Sequence, residues 1–194
     1  MSKAERTRQF IVEKTAPIFN TKGYAGTSLT DITEATGLTK GSIYGNFANK
    51  DEVALASFDY NNQQVISIIR TEMDKESTIK GKLLVYSKVY ENFLKLHFPT
   101  GGCPVLNTAT EADDTHPQLK EKVADAIECW KNKIVGLINE GVERKEFKAP
   151  ANAEQFALTL IAMIEGAIMI VKATGKLNYR NQVLRLVEKM VNDL

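Results

Sequence analysis

Apolar residues recur at intervals of three and four along nearly the whole chain, which is the spacing of helices with one apolar face. In the first segment, Ile11, Thr15, Ile18 and Phe19 share such a face. No stretch of alternating β-branched and polar residues indicates a strand. The pattern predicts an all-α protein of nine helices.

Glycine, proline and capping residues set the predicted helix ends. The first helix ends at Gly23 and is bent or locally broken by Pro17, and the second ends at Gly37. Thr27 and Ser28 are the N-cap candidates of the second helix. The predicted segments are 4–22, 29–36, 40–47, 51–75, 78–98, 104–111, a long segment ending near 143, 154–173 and 179–192.

The stretch TGLTKGSIYGNFANKDEV, residues 36–53, is poorly suited to an ordinary core helix because three glycines recur every four residues. Two short helices joined by a glycine turn, the second exposing small and polar groups, describe a helix-turn-helix. Ile32, Leu38 and Ile43 would pack the two helices together, and Gly37 would give the turn a left-handed backbone. This pattern indicates DNA binding. The alternatives are that the short helices are connectors or that the chain is a helical adaptor that dimerises without DNA.

The outward face of the second short helix is predicted to read DNA. Its small residues let the helix approach base edges in a major groove about 12 Å wide, and Lys40 can reach a guanine or a phosphate. The residues on this face are Thr39, Lys40, Gly41, Ser42 and Tyr44. Phosphate contacts are expected from helix ends and flanks, at Thr27, Tyr44 and Lys50, and Ser28 is counted among the DNA-binding residues.

The run GYAGTSLTDITEATGLTKGSIYGNFANKDEV resembles the N-terminal signature of the tetracycline-repressor (TetR) family of bacterial transcriptional regulators. The specific likeness covers about residues 6–55, and the length and helix count extend it over the whole chain. The resemblance implies recognition-helix contacts at Thr39, Lys40, Gly41 and Ser42, and phosphate contacts at Thr27, Tyr44 and Lys50. Thr33 and Thr36 depart from the usual alanines, and Asn46 from a usual His or Tyr.

The resemblance also implies a function: a homodimeric repressor that binds a palindromic operator in double-stranded DNA and is released by a small-molecule inducer. A DNA-binding domain at 1–50 and a ligand-binding and dimerisation domain at 51–194 are expected. The charge distribution agrees modestly, because residues 1–50 hold seven Lys or Arg against four acidic residues while the whole chain has a net charge of +1.

The last two helices carry apolar stripes that are typical of helices needing a partner. We expect them to form a four-helix seam between two copies of the chain, with packing inside one chain as the alternative. The residues of the predicted seam are Leu160, Met163, Ile164, Ala167, Ile170, Val171, Val183, Leu186 and Val187. The apolar run 156–171 is shorter than the roughly 18 residues of a membrane span and contains Glu165, which favours a buried helix.

An aromatic stripe in the middle helices is the candidate lining of a ligand pocket. The same spacing is also typical of plain core, so both interpretations are open. The candidate residues are Phe58, Tyr86, Tyr90, Phe93, His97, Cys103 and Trp130.

Cys103 is a candidate sensor of oxidants or electrophiles, because an N-cap position before Pro104 would favour a thiolate. Cys129, inside a long helix, is expected to be structural. A thiol-dependent helical enzyme using Cys103 with His97 or His116 is the rival class, although no phosphate loop, metal pair or carboxylate with a spacing suited to orient the histidine accompanies it.

The acidic run EADDTHP, residues 111–117, is better explained by helix capping than by metal binding, so no metal or cofactor is expected. The N-terminus has early positive charges without a sustained apolar run, which argues against a signal peptide. Two cysteines are too few for a disulfide framework, and we expect a cytoplasmic protein.

Overall fold

A computed structural model describes residues 2–92, 96–148 and 152–194, and these residues form nine α-helices and no strand. The all-α prediction is therefore confirmed. The helices are α1 (Lys3–Gly26), α2 (Leu29–Thr36), α3 (Lys40–Tyr44), α4 (Lys50–Met73), α5 (Ile79–Glu91), α6 (Pro104–Ala112), α7 (Pro117–Glu143), α8 (Ala153–Thr174) and α9 (Leu177–Asn192).

The chain forms two compact units. Unit 1 contains the residues up to Val65 together with Pro99–Ala124, and unit 2 contains Ile66–Phe98 and Asp125–Leu194. Unit 1 thus holds α1 to α3, the first part of α4, α6 and the start of α7. The units are defined by packing, and the predicted functional division at residue 50 stays a prediction.

The core of unit 1 joins the three N-terminal helices to the start of α4. Ile32 and Ile43 are buried and Leu38 packs against the same cluster, which confirms the predicted contact between the two short helices. The buried members are Ile11, Val12, Phe19, Ile32, Ile43, Phe47, Val53 and Ala54. Burial of each large side chain contributes roughly 1.5–3 kcal/mol, so α1 and α4 hold α2 and α3 in place.

Helix α1 begins at a capping box and is broken near its end. Ser2 accepts from the N–H of Glu5, and the Glu5 carboxylate accepts from the N–H of Ser2. Gly23 has φ 74° and ψ 176°, so the predicted glycine break is confirmed, and helical structure resumes as far as Gly26. Pro17 lies inside α1 and does not break it. The non-helical φ and ψ angles inside α1 occur at Gly23.

Unit 2 packs α5, α8 and α9 around aliphatic side chains, among them the fully buried Leu83, Leu160 and Ile164. The start of α5 is capped twice. Thr78 accepts from the N–H of Gly81 at 3.0 Å, and Glu146 accepts from the N–H of Ile79 at 2.7 Å. These bonds satisfy N–H groups that the helix itself leaves without acceptors.

Helix α5 is shorter than predicted. It ends at Glu91 with the C-cap Asn92, and the extension to Phe98 is wrong. Asn92 leaves the helical region with φ −108° and ψ 19°, and His97 has a positive φ of 53°. His97 therefore does not continue the aromatic face of α5. Phe93 lies outside the described residues.

Helix α8 is only partly buried within the chain. It is 22 residues long with a mean hydropathy of 2.0 in its most apolar window, and 33% of that window is buried. Among the helices of the described residues, α8 is the one that is long and apolar enough to cross a bilayer, judged by length and composition alone. Ala157, Leu160 and Ile164 face the interior, whereas Leu158 and Met169 are exposed. The predicted buried helix therefore has one uncovered apolar side.

Candidate nucleic-acid interface

The turn between α2 and α3 has the predicted geometry. Gly37 adopts the left-handed backbone, with φ 67° and ψ 12°, and its N–H donates to the carbonyl of Thr33 at 2.8 Å. Thr39 then caps α3 by accepting from the N–H of Ser42 at 3.2 Å. These local bonds end α2 and start α3 within three residues, and Ile32 and Ile43 are buried in the same core cluster.

The outward face of α3 is open to solvent. Thr39, Lys40, Gly41 and Tyr44 are exposed, and Ser42 is half-buried. A Cβ added at Gly41 would come no nearer than 4.0 Å to a neighbour, the hydroxyl of Thr39, so the glycine leaves open space outside the helix. The Lys40 ammonium lies 5.9 Å from the centroid of the Tyr44 ring. This face offers hydroxyls, one cation and a thin backbone surface.

Thr27 does not fit its predicted role in this conformation. Its side chain is fully buried, its hydroxyl donates to the carbonyl of Gly23 at 2.6 Å, and its N–H donates to the carbonyl of Tyr24. Neither donor is left for a phosphate, so Thr27 is not expected to contact DNA in this conformation. Ser28 is exposed and caps α2.

The start of α2 is an electrostatic cluster. Asp31 binds the ammonium of Lys22 at 2.5 Å and accepts from the N–H and the hydroxyl of Ser28, both at 2.7 Å. The hydrogen bond from Lys22, followed by those from Ser28, holds the pKa of Asp31 far below its usual value of 3.8. The carboxylate also lies at the N-terminal end of α2, where negative charge is favourable.

Lys50 sits beside an ionisable cluster at the start of α4. Its ammonium lies 4.2 Å from the centroid of the Tyr24 ring, and the Tyr24 hydroxyl donates a short hydrogen bond to Asp51. That bond, and then burial, raises the pKa of Tyr24 to about 12. His116 packs edge-on against Tyr24, with ring centroids 4.5 Å apart, and its Nδ1 accepts from the N–H of Leu119.

Arg8 is a positioning residue that the sequence interpretation missed. It donates to the carbonyl of Asn46 and to the Glu52 carboxylate, both at 2.5 Å, and its guanidinium lies 4.0 Å from the centroid of the Phe47 ring. It thus holds the segment between α3 and α4. The signal was present, because Arg8 precedes Ile11 by three residues and so lies on the apolar face of α1.

Glu52 and Asn46 are engaged in the same network. Glu52 also accepts from the N–H of Ala48 at 2.7 Å, and this bond, followed by that from Arg8, lowers the pKa of Glu52. The Asn46 amide donates to the carbonyl of Ser42 at 2.8 Å. The residue that departs from the usual family pattern is therefore used to close the end of α3.

The predicted dimer residues fall into two groups. Leu160, Ile164, Ala167 and Val187 are fully buried within one chain, so for these four the prediction is wrong and the alternative of internal packing holds. They fill the space that α5, α8 and α9 share. The remaining residues are at least partly exposed: Met163, Ile170, Val171, Val183 and Leu186.

The exposed apolar residues of α8 and α9 are mostly not the predicted ones. Leu158 is 46% exposed, Met169 55% and Leu186 57%. With Ala162 and Gly166, the two α8 residues form one stripe at intervals of three and four. No atom lies within 4 Å of a Cβ added at Gly166, so a second helix could approach closely there. Only Leu186 belongs to both the predicted seam and this set.

The predicted ligand-pocket residues do not form one group. Tyr86, Tyr90 and Trp130 cluster in unit 2, with ring centroids of Trp130 5.9 Å from Tyr86 and 5.8 Å from Tyr90. The Trp130 Nε1 is buried without a hydrogen-bond partner among the described residues. Burial raises the pKa of Tyr86 above its usual range. His97 is exposed, contrary to the prediction.

Phe58 and Cys103 belong to unit 1. Phe58 lines a cavity of about 20 Å³, which has room for about one water molecule. Cys103 occupies the predicted position before α6 but is 1% exposed and makes no side-chain cap bond to that helix. Its burial argues against direct attack by a solute. Cys129 is exposed and so is not a core residue of α7, and the structural role expected of it stays a prediction.

The acidic segment before α7 serves the ends of helices. His116 caps α7 through the N–H of Leu119, and Glu111 accepts from backbone N–H groups near the end of α1. Within the described ranges, no group of three His, Cys, Asp or Glu residues is arranged to hold a metal ion.

Comparison with known proteins identifies the class that this fold and interface define. Residues 11–56 match the family model of bacterial regulatory proteins, tetR family, and residues 80–187 match the tetracyclin repressor-like C-terminal domain. The chain belongs to the TetR family of DNA-binding transcriptional regulators. The resemblance seen in the sequence is confirmed, and the rival class of a thiol-dependent enzyme is not supported, since the relatives are regulators.

Individual relatives cover almost the whole chain. A TetR-family regulator from Cytophaga hutchinsonii is 49% identical, with a TM-score of 0.97 over 100% of this chain and 97% of that one. One from Chloroflexus aurantiacus is 34% identical, with a TM-score of 0.92 over 99% and 97%. The transcriptional repressor DhaR of Mycobacterium sp. strain GP1 is 26% identical over 93% of this chain and 89% of its own.

Replacing Asp31 by Asn should make the chain less stable at neutral pH by removing the charge that binds Lys22 and caps α2. Because the pKa of Asp31 is lowered in the fold, its stabilisation is present above the unfolded value of 3.8 and is lost as the pH falls below it. Thermal melts should therefore show a Tm difference at pH 7 that shrinks below about pH 4. Glu34→Gln, an exposed change on the same helix, is the control. A difference independent of pH would contradict the assignment.

Proposed function

We propose that the chain is a homodimeric repressor that binds a palindromic operator through α3 and releases it when a small-molecule inducer binds. Family membership establishes a DNA-binding regulator of the repressor type, and proteins of this family bind DNA and small-molecule ligands. The observation that supports recognition of a DNA sequence by this chain is the exposed face of α3, where Lys40 lies beside Gly41.

The proposed DNA contacts follow from what is exposed. Thr39, Lys40, Gly41 and Ser42 face base edges in the major groove, where a thin helix surface is needed. Tyr44 and Lys50 flank that face and bind phosphates. Ser28 is left out for the same reason as Thr27, because its N–H and its hydroxyl both donate to Asp31. We place the DNA-binding function in residues 1–50 and ligand binding and dimerisation in 51–194. The protein acts in the cytoplasm, where its operator is.

The dimer is proposed to form through the uncovered sides of α8 and α9. The stripe Leu158, Ala162, Gly166 and Met169 is apolar and narrow at its centre, which suits close packing of two helices, and Leu186 on α9 is exposed as well. Met163, Ile170, Val171 and Val183 would border this seam. A two-fold axis there would present two copies of α3 to half-sites of opposite orientation.

The inducer is proposed to bind in unit 2 around Tyr86, Tyr90 and Trp130. The indole N–H of Trp130 is buried, and no described residue accepts a hydrogen bond from it. This site suits a ligand that has a hydrogen-bond acceptor beside an apolar body. Binding there would favour a conformation in which the two recognition helices no longer match the operator.

Purified protein should enrich a palindrome from random duplex DNA, and Lys40→Ala should weaken binding to it. Loss of a base contact costs about 1–3 kcal/mol, or roughly 5- to 150-fold in affinity, and a lost phosphate contact would instead lower the salt slope by about one. Lys133→Ala removes the same charge from an exposed site on α7 and is the control. If folded protein enriches no duplex at either of two salt concentrations, the proposed function is wrong.

Placing a charge on the α8 stripe by Met169→Glu should shift the chain from dimer to monomer. A carboxylate buried in an apolar seam is strongly unfavourable, so the dissociation constant should rise by at least tenfold. Sedimentation equilibrium measures it directly. Gln118→Glu adds the same charge at an exposed position on α7 and should leave the dimer intact. An unchanged dimer in both variants would rule out this seam.

Trp130 is the single tryptophan of the chain, so its fluorescence reports on the proposed pocket without labelling. Members of a library of small apolar compounds with one acceptor group should change this emission and raise the Tm. Trp130→Phe should bind the same compounds about tenfold more weakly because it lacks the N–H donor. Compounds that raise the Tm of both proteins equally would place the ligand elsewhere.

A further inference from the structure

The C-terminal end of α1 is held by two side chains on α6. Asn107 donates to the carbonyl of Asn20 at 2.9 Å. One turn later, Glu111 accepts from the N–H of Tyr24 at Oε2 and from the N–H of Ala25 at Oε1, both at 2.8 Å. Residues four apart share one face of a helix, so these side chains act on α1 from the same side. All of these residues belong to unit 1.

The Glu111 carboxylate fits the break at Gly23. A Cβ added at Gly23 would lie 2.3 Å from Glu111 Oε2, so the carboxylate occupies the space that any other residue would need there. The positive φ of Gly23 interrupts the helix, and N–H groups that follow such a break lack their usual acceptors. Glu111 supplies acceptors for two of them. The break and the carboxylate therefore define one local geometry together.

This geometry sets where α2 begins. Only Gly26 and Thr27 separate Ala25 from Ser28, the N-cap of α2, and Thr27 is tied back to Gly23 and Tyr24. Fixing the backbone at residues 23–25 thus fixes the direction in which α2 and α3 leave α1. The Tyr24 side chain carries the same constraint to α4 through its bond to Asp51.

We propose that Glu111 is a positioning residue for DNA binding, holding α2 and α3 at the angle that matches the spacing of the operator half-sites. This inference rests on the proposed function of the chain as a dimeric DNA reader. In a dimer, a small rotation of each α1–α2 junction changes the distance between the two α3 helices. Glu111 therefore determines which half-site spacing is bound, although it does not itself contact DNA.

Two substitutions separate the effect of the bonds from that of the charge. Glu111→Gln keeps the size, but its amide has one acceptor oxygen and turns an NH₂ donor toward one of the two N–H groups. Glu111→Asp keeps the charge but is one methylene shorter, so it cannot reach both N–H groups. Glu121→Gln removes an exposed acid on α7 in the same unit and is the control. Thermal melts establish that each variant is folded.

The measurement is the affinity of each full-length variant for the duplex that the wild-type chain selects, and for versions with one or two base pairs added or removed between the half-sites. The wild-type chain and Glu121→Gln should share one sharp optimum. Both Glu111 variants should bind about tenfold more weakly at that spacing and should have a shifted or flattened preference among the spacings.

The spacing profile separates positioning from simple support of the fold. A variant that is only less stable loses the same factor of affinity at every spacing, and that result would overturn the inference. Wild-type affinity and spacing preference in both Glu111 variants would overturn it as well, while leaving the proposed function intact. If the wild-type chain selects no duplex, the proposed function fails first and this inference fails with it.

Discussion

Helices of five and eight residues have too few internal hydrogen bonds to be stable in water, so α3 and α2 depend on the apolar core beneath them. Ile32 and Ile43 bury their side chains against Ile11 of α1 and Val53 of α4. The outer face of α3 contributes nothing to this core. That separation explains how a surface of glycine, threonine and lysine can be presented on a short helix without loss of order.

Carboxylates add a second kind of constraint by capping broken or starting helices. Asp31 serves α2, Glu52 serves the segment before α4, Glu111 serves the break in α1, and Glu146 serves α5. Each accepts from backbone N–H groups, so its negative charge is partly neutralised locally. The modest net charge of the N-terminal region does not argue against a nucleic-acid partner.

Much of the fold could be predicted because its signals are local. Gly23 and Gly37 both have a positive φ and interrupt or end a helix where the sequence predicts it, and the helix-turn-helix was visible from Ile32, Leu38 and Ile43. Side chains that act across the chain could not be predicted in the same way. Nothing in the sequence connects Glu111 with Gly23, which are 88 positions apart. Periodicity also identifies an apolar face without showing what covers it. Leu160 and Ile164 were therefore predicted to lie between two chains, whereas they are buried inside one chain.

Because of the uncovered apolar stripe on α8, the stability of the folded chain in the proposed dimer depends on the concentration of the protein. An apolar helix face that its own chain leaves in water is stabilised when a second copy covers it, and that stabilisation grows with concentration. At a few molecules per cell the chain would spend more time with Leu158 and Met169 exposed, where proteases and chaperones act on apolar surface. In the proposed dimer, the lowest useful copy number of the regulator would therefore depend on packing at this seam as well as on its affinity for an operator.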